Sequence, residues 1–269
     1  MLKADVVVAV EANPTLCKEI SDTFAIEIAL GKLRVLNLVV GDYRTKSAGL
    51  VPFYIHKTRN VLSTIIKPSA NELPNYEPRI VKSCPPGEII RNEITSNDKV
   101  LYIKIDLEGF DSRVLDSIMV EGVKFEHLSL EAHDLSSLIS ALNHPDIKGL
   151  KLSPQKLVAS RYGKSLIKDS NGVLHQYEFK NHSSGPFAED LLGCFYPKEL
   201  FLDYFLVSKP GWKDIHVTTL NENLSAKLPI KFMTINGFIR YVHGIYVCLF
   251  SFSTRTKIYR LRKRFFSNL

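Results

Sequence analysis

Residues 100–117, VLYIKIDLEGFDSRVLDS, impose a strand, an acidic turn and a helix in immediate succession. Val100-Leu101-Tyr102-Ile103-Lys104-Ile105 is an alternating, mostly apolar run that stops abruptly on Asp106, Glu108 and Gly109. Val114, Leu115 and Ile118 then repeat at helical spacing. In open α/β sheets ligands bind outside the carboxyl ends of the strands, so Asp106 and Glu108 stand where a site is expected. The competing reading is that both carboxylates only cap the helix that follows them.

The same alternation recurs along the chain. ADVVVAV, residues 4–10, is a β-branched run of the kind buried on both faces of a parallel sheet, and it ends on Glu11-Ala12-Asn13-Pro14. Leu16, Ile20, Phe24 and Ile28 predict a helix over 16–30, with Gly31 as its stop. LRVLNLVV, residues 33–40, is the next expected strand and closes on Gly41-Asp42. FEHLSLEAH, residues 125–133, is another, ending in acid and imidazole. A short helix over 135–142 and a strand over 149–158 follow. This order predicts an α/β fold built on a doubly wound, mostly parallel sheet with helices on both faces. Residues 43–97 interrupt it. Beyond a short strand at 51–56, Pro68, Pro74, Pro78, Pro85 and Pro86 exclude a long helix before Gly87. An irregular insertion or lid is expected there, on the carboxyl side of the sheet.

Composition removes several function classes. The net charge of +7 falls to +1 once Arg255, Lys257, Arg260, Arg262, Lys263 and Arg264 are set aside, so the body of the chain is close to neutral. No nucleic-acid surface is expected from a basic tail alone. Cys17, Cys84, Cys194 and Cys248 lie far apart, which argues against a zinc site or a disulfide framework and for a reducing compartment. Leu2-Lys3-Ala4-Asp5 runs straight into the first apolar stretch, so no secretory leader is expected and the expected location is cytoplasmic.

Glu11, Asp42 and Asp106 each close an expected strand. A carboxylate at such a place accepts hydrogen bonds from vicinal ribose hydroxyls, the task of the acid at a strand end in nucleotide-binding units. Acids gathered at one sheet edge repel one another unless a polar or cationic ligand lies among them. A surface carboxylate at a helix start is the alternative for each one taken singly.

VVVAVEANP, LNLVVGD, YIKIDLEGFDSRVLDSI and LSLEAH, in this order, resemble FkbM-type S-adenosylmethionine-dependent methyltransferases, with Lys104 to Gly109 the most specific piece. Leu150-Lys151-Leu152 with Gln155, Ser183-Ser184-Gly185-Pro186-Phe187 and Trp212-Lys213-Asp214-Ile215-His216 are similar to later parts of one branch. The resemblance covers roughly residues 4–217. It implies the class I, Rossmann-like methyltransferase sheet and methylation of a hydroxyl on a sugar, glycan or natural product. It further implies that Glu11, with Asn13 beside it, holds the cofactor ribose. Asp42 would face the adenine, and Asp106 would lie near the reacting methyl. Asp106, Glu108 and His133 are the candidate bases, with His216 a fourth that rests on the resemblance. Ser184, Gly185, Trp212 and His216 are the candidates for substrate contact, against the alternatives of a plain turn at Ser184-Gly185-Pro186 and of simple packing for Trp212. The family's first strand and glycine-rich turn have no counterpart, so the methyltransferase-like domain over 1–220 reads as truncated at its amino end. A catalytically inactive remnant serving as a binding partner is therefore the alternative. A nicotinamide-dependent oxidoreductase would account for Glu11 but not for Asp42 and Asp106.

Residues 221–269 differ in texture. Phe232 to Phe252 is dense in aromatic and aliphatic residues but is broken by Arg240 and His243. Its uninterrupted part of about ten residues is too short to span a bilayer. Peripheral membrane contact through 232–264, apolar face first and cations over anionic lipid, competes with packing on the domain or on a partner subunit.

Overall fold

The computed structural model describes residues 2–42, 49–95, 97–107, 109–132, 135–180, 183–208, 212–221 and 224–227. Glu108, His133 and the carboxyl-terminal segment from 228 onward lie outside the described residues.

The chain is mixed α/β, as expected, but its strands form four small sheets where one continuous sheet was expected. The first is a parallel pair, β1 (Val7–Glu11) and β2 (Leu33–Asn37). Between them α1 (Pro14–Thr23) starts where Asn13 Oδ1 accepts the Thr15 N–H at 3.0 Å and Pro14 supplies a preset φ. The single helix expected over 16–30 is broken at Phe24 (φ −112°, ψ 31°) and resumes as α2 (Ala25–Ala29). Likewise the strand expected over 33–40 divides at Leu38. Its last part, β3 (Val39–Val40), joins a different sheet.

That second sheet corrects the irregular insertion expected over 43–97. β4 (Gly49–His56) and β5 (Tyr76–Cys84) pair antiparallel from Gly49↔Ser83 to His56↔Tyr76, and β3 lies parallel to β5 on its other side. Prolines fit this ladder because of where they fall. Tyr54 exchanges both main-chain hydrogen bonds with Thr64 on the far side, so its partner Pro78 needs no N–H there. Helix α3 (Pro86–Glu93) follows at once, with Pro86 in its first turn, as the proline pattern requires.

The third sheet carries the main core. Its order is β6 (Tyr102–Ile105), β7 (His127–Glu131), β11 (Lys213–Thr218), β8 (Gly149–Pro154). β6 and β7 are parallel, and β11 runs antiparallel to both its neighbours. Register sorts the residues by face. Ile103, Ile105, Leu128, Leu130, Ile215, Val217, Leu150 and Leu152 share one face, which packs with α4 (Asp111–Val120) and α5 (Leu135–Asn143) through Val114, Leu115, Ile118, Leu138 and Ala141. The opposite face holds Tyr102, Lys104, Ser129, His216 and Lys151 in a row of polar side chains. On this face Phe187 stacks on Tyr102 and Lys151 Nζ donates to the Leu191 carbonyl; α6 (Val158–Tyr162) and the hairpin β9 (Ser165–Lys168)–β10 (Leu174–Tyr177) precede these contacts in the chain. Helix α7 (Lys198–Val207) precedes β11. Among the described residues no helix is long and apolar enough to cross a membrane.

Candidate functional site

Among the described residues β1 pairs with β2 alone and β6 with β7 alone, and a cavity of about 1090 Å³ borders both β1 and β6. Its lining includes Val6, Val7, Val8 and Val10 at β1 and Tyr102, Ile103, Lys104, Ile105 and Asp106 at β6. Arg34 of β2 reaches the end of α3. The Arg34 guanidinium donates to the Glu93 carbonyl and Asp98 lies within its field, beside the first residues of β6. Val40, at the far end of β3, packs with Leu107 against the main core. β1 ends on Glu11, and β6 ends just before Asp106.

Asp106 is half exposed at the cavity, 3.7 Å from Lys104 Nζ. Glu11 is partly buried. Its Oε1 accepts the Asn13 N–H at 2.7 Å, which fixes the carboxylate over the start of α1. Burial pushes its pKa up, and the main-chain donors of Asn13 and Ala12 offset part of that rise. Asn13 is itself buried and spends its side chain as the cap of α1. Asp42 is buried immediately after β3. Neither Glu11, Asn13 nor Asp42 lines the cavity wall.

Gly185 does line it, at φ +79°, with Val158 Cγ1 only 3.2 Å from where a β-carbon would stand. The turn places Phe187 flat on Tyr102, ring centres 4.2 Å apart and 8° from parallel. Lys3 Nζ lies 5.7 Å from the centre of the Phe187 ring and pairs with Asp190 at 2.7 Å. Ser184 is half-buried beside this turn. Two other candidates for substrate contact lie elsewhere. Trp212 is 42% exposed before β11, and His216 is 2% exposed within the sheet. Burial drives the His216 pKa down to about 3, helped by the charges of Lys104, Lys151 and His127.

One pair was not foreseen. Lys104 Nζ lies 2.7 Å from Asp214 Oδ2, joining the Lys104–Gly109 segment to the Trp212–His216 segment. Burial raises the Asp214 pKa to about 6 against the pull of Lys104. Burial lowers that of Lys104, and its attraction to Asp214 more than reverses this, leaving it raised. The signal was present in the alternation of β6, which turns Lys104 away from Ile103 and Ile105. Among the described residues no cluster of three His, Cys, Asp or Glu side chains is placed to hold a metal ion.

Comparison with known protein families, characterised proteins and solved structures yields no match, so the geometry of this site stands by itself.

Proposed function

We propose that the chain is an S-adenosylmethionine-dependent methyltransferase acting on a hydroxyl of a sugar, glycan or natural product. The observation that supports this reading is a pair of strand-end acids: Glu11 is the last residue of β1 and Asp106 follows β6, both strands border one cavity, and Asp106 lines it. Ligands of parallel α/β proteins bind at that end. The donor set suits the cofactor: carboxylates accept from ribose hydroxyls and attract a molecule carrying ammonium and sulfonium charges. Glu11, held at the start of α1, would take the ribose. Asp42 would face the adenine and Asp106 the methionine end. When bound, the cofactor supplies an electrophilic methyl group. The chain's own share is to hold the acceptor hydroxyl in line and take its proton, for which Asp106 is the described candidate.

One observation favours a second reading, a non-catalytic binding partner. The edges of β1 and β6 that face the cavity have no strand partner among the described residues. Equilibrium dialysis with labelled S-adenosylmethionine separates the two. Saturable binding displaced by S-adenosylhomocysteine supports the enzyme, and its absence at millimolar cofactor supports the partner.

A further inference from the structure

Lys104 stands between two acids of unequal burial. Its Nζ lies 2.7 Å from Asp214 Oδ2 and 3.7 Å from Asp106 Oδ2. The Asp214 side chain is 2% exposed and that of Asp106 51%. We propose that these three side chains form a charge switch. Lys104 serves Asp214 while Asp214 is ionised, and passes its hydrogen bond to Asp106 once Asp214 takes a proton. The acidity of the medium thereby sets whether Asp106 presents an uncompensated negative charge to the cavity it lines. The switch is built from the chain's own side chains and does not depend on the cofactor reading.

Register explains how one cation meets both acids. Ile105 lies opposite Leu130, and Glu131 lies opposite Asp214, so Asp106, Glu131 and Asp214 come level at one end of the main sheet. One row below stand Lys104, Ser129, His216 and Lys151, paired in that order across β6, β7, β11 and β8. Side chains two residues apart on a strand share a face, which sets Lys104 beside both Asp106 and the acids across the sheet. The charges acting on Asp214 are Lys104 and Asp106 from the β6 side and Glu131 from β7. Ser153 lies opposite Asp214 on β8, and Lys213 and His216 are its ionisable neighbours along β11.

Burial decides which acid holds the ammonium. Asp106 has water to satisfy its charge, whereas Asp214 relies on Lys104. Protonation reverses the preference. Burial raises the Asp214 pKa to about 6 against the pull of Lys104, with Asp106 and Glu131 adding to the rise. Lys104 keeps its own proton: burial lowers its pKa, but Asp214, Asp106 and Tyr102 more than reverse this. Once Asp214 is neutral the Coulomb attraction passes to Asp106, already at 3.7 Å. Closing to the roughly 2.8 Å of a charge-assisted hydrogen bond takes a shift of about 1 Å at the end of a flexible side chain.

The test follows the Lys104 ammonium by nuclear magnetic resonance in the full, isotope-labelled chain. Scalar coupling carried through a hydrogen bond, from Lys104 Nζ to a carboxylate carbon, identifies the acceptor. At about pH 8 the coupling is expected to Asp214 Cγ and at about pH 5 to Asp106 Cγ, with the changeover following the titration of the Asp214 carboxyl. Asp214→Asn, neutral at every pH, should show the Asp106 coupling already at about pH 8. Where that variant does not fold, the native protein at the two pH values decides alone. Coupling to Asp214 at both pH values overturns the proposal, as does coupling to Asp106 in the native protein already at the higher one. Loss of the Asp214 coupling in acid with none gained to Asp106 overturns it as well, and so does folded Asp214→Asn without the Asp106 coupling.

Discussion

Lys104 and Asp214 meet at 2.7 Å across the width of β7, tying β6 to β11 on the polar face of the main sheet. Asp214 is 2% exposed, so its charge has no solvent to fall back on. Removing one partner strands the other. Lys104→Met is expected to destabilise the fold by about 3–5 kcal/mol, whereas Lys104→Met combined with Asp214→Leu recovers most of the loss. Asp106→Asn, which removes only the looser 3.7 Å contact with Lys104, costs less than about 1 kcal/mol. Urea unfolding of the four proteins checks the order.

His216 makes the fold sensitive to acid. Its pKa is depressed from 6.5 to about 3, so its contribution to stability is present above pH 6.5 and is lost as pH falls toward 3. Asp214, raised to about 6, works in the opposite sense and becomes less costly to bury as pH falls from 6 to 4. His216→Gln isolates the first effect. Between pH 7 and pH 5 the native protein should lose about 2 kcal/mol more than this variant. Equal losses in denaturation curves at the two pH values would show that His216 protonates without unfolding the sheet.

Asn13 connects the candidate site to the fold. Its side chain caps α1 and its N–H holds Glu11, so Asn13→Ala should cost about 1 kcal/mol through the lost cap, while Asn13→Asp keeps it. Thermal unfolding reads this directly, and identical melting of the native and alanine proteins would contradict the capping role.

Gly185 sits in the left-handed region with Val158 close by. Gly185→Ala is expected to cost about 1–2 kcal/mol and to disturb the stacking of Phe187 on Tyr102. The tyrosine near-ultraviolet signal is the readout, and an unchanged spectrum with unchanged stability would refute the constraint.

Periodicity revealed most elements of the fold, and its failures have physical causes. The run at 100–105 and its following helix were legible because alternation and helical spacing meet at a sharp boundary. The antiparallel sheet of β4 and β5 was hidden by prolines. A proline rule counts the missing N–H, yet only the ladder shows that Tyr54 turns toward Thr64 and leaves Pro78 unopposed. The division at Leu38 was invisible for a related reason. LRVLNLVV reads as one apolar run, and only tertiary pairing assigns its two parts to different sheets. At the site, strand-end acids could be picked out one by one, and Asp106 and Gly185 do meet at one cavity. The burial of His216 could not be foreseen, because β11 lies between two strands far away in sequence.

If Glu11 and Asp106 hold S-adenosylmethionine as proposed, calorimetric titration of the purified chain alongside Asp106→Asn and Glu11→Gln reads it out. Saturable, micromolar binding is expected, weakened at least about tenfold, or 1.4 kcal/mol, in each variant while both remain folded. Binding that is absent, or that is indifferent to both substitutions, would contradict it.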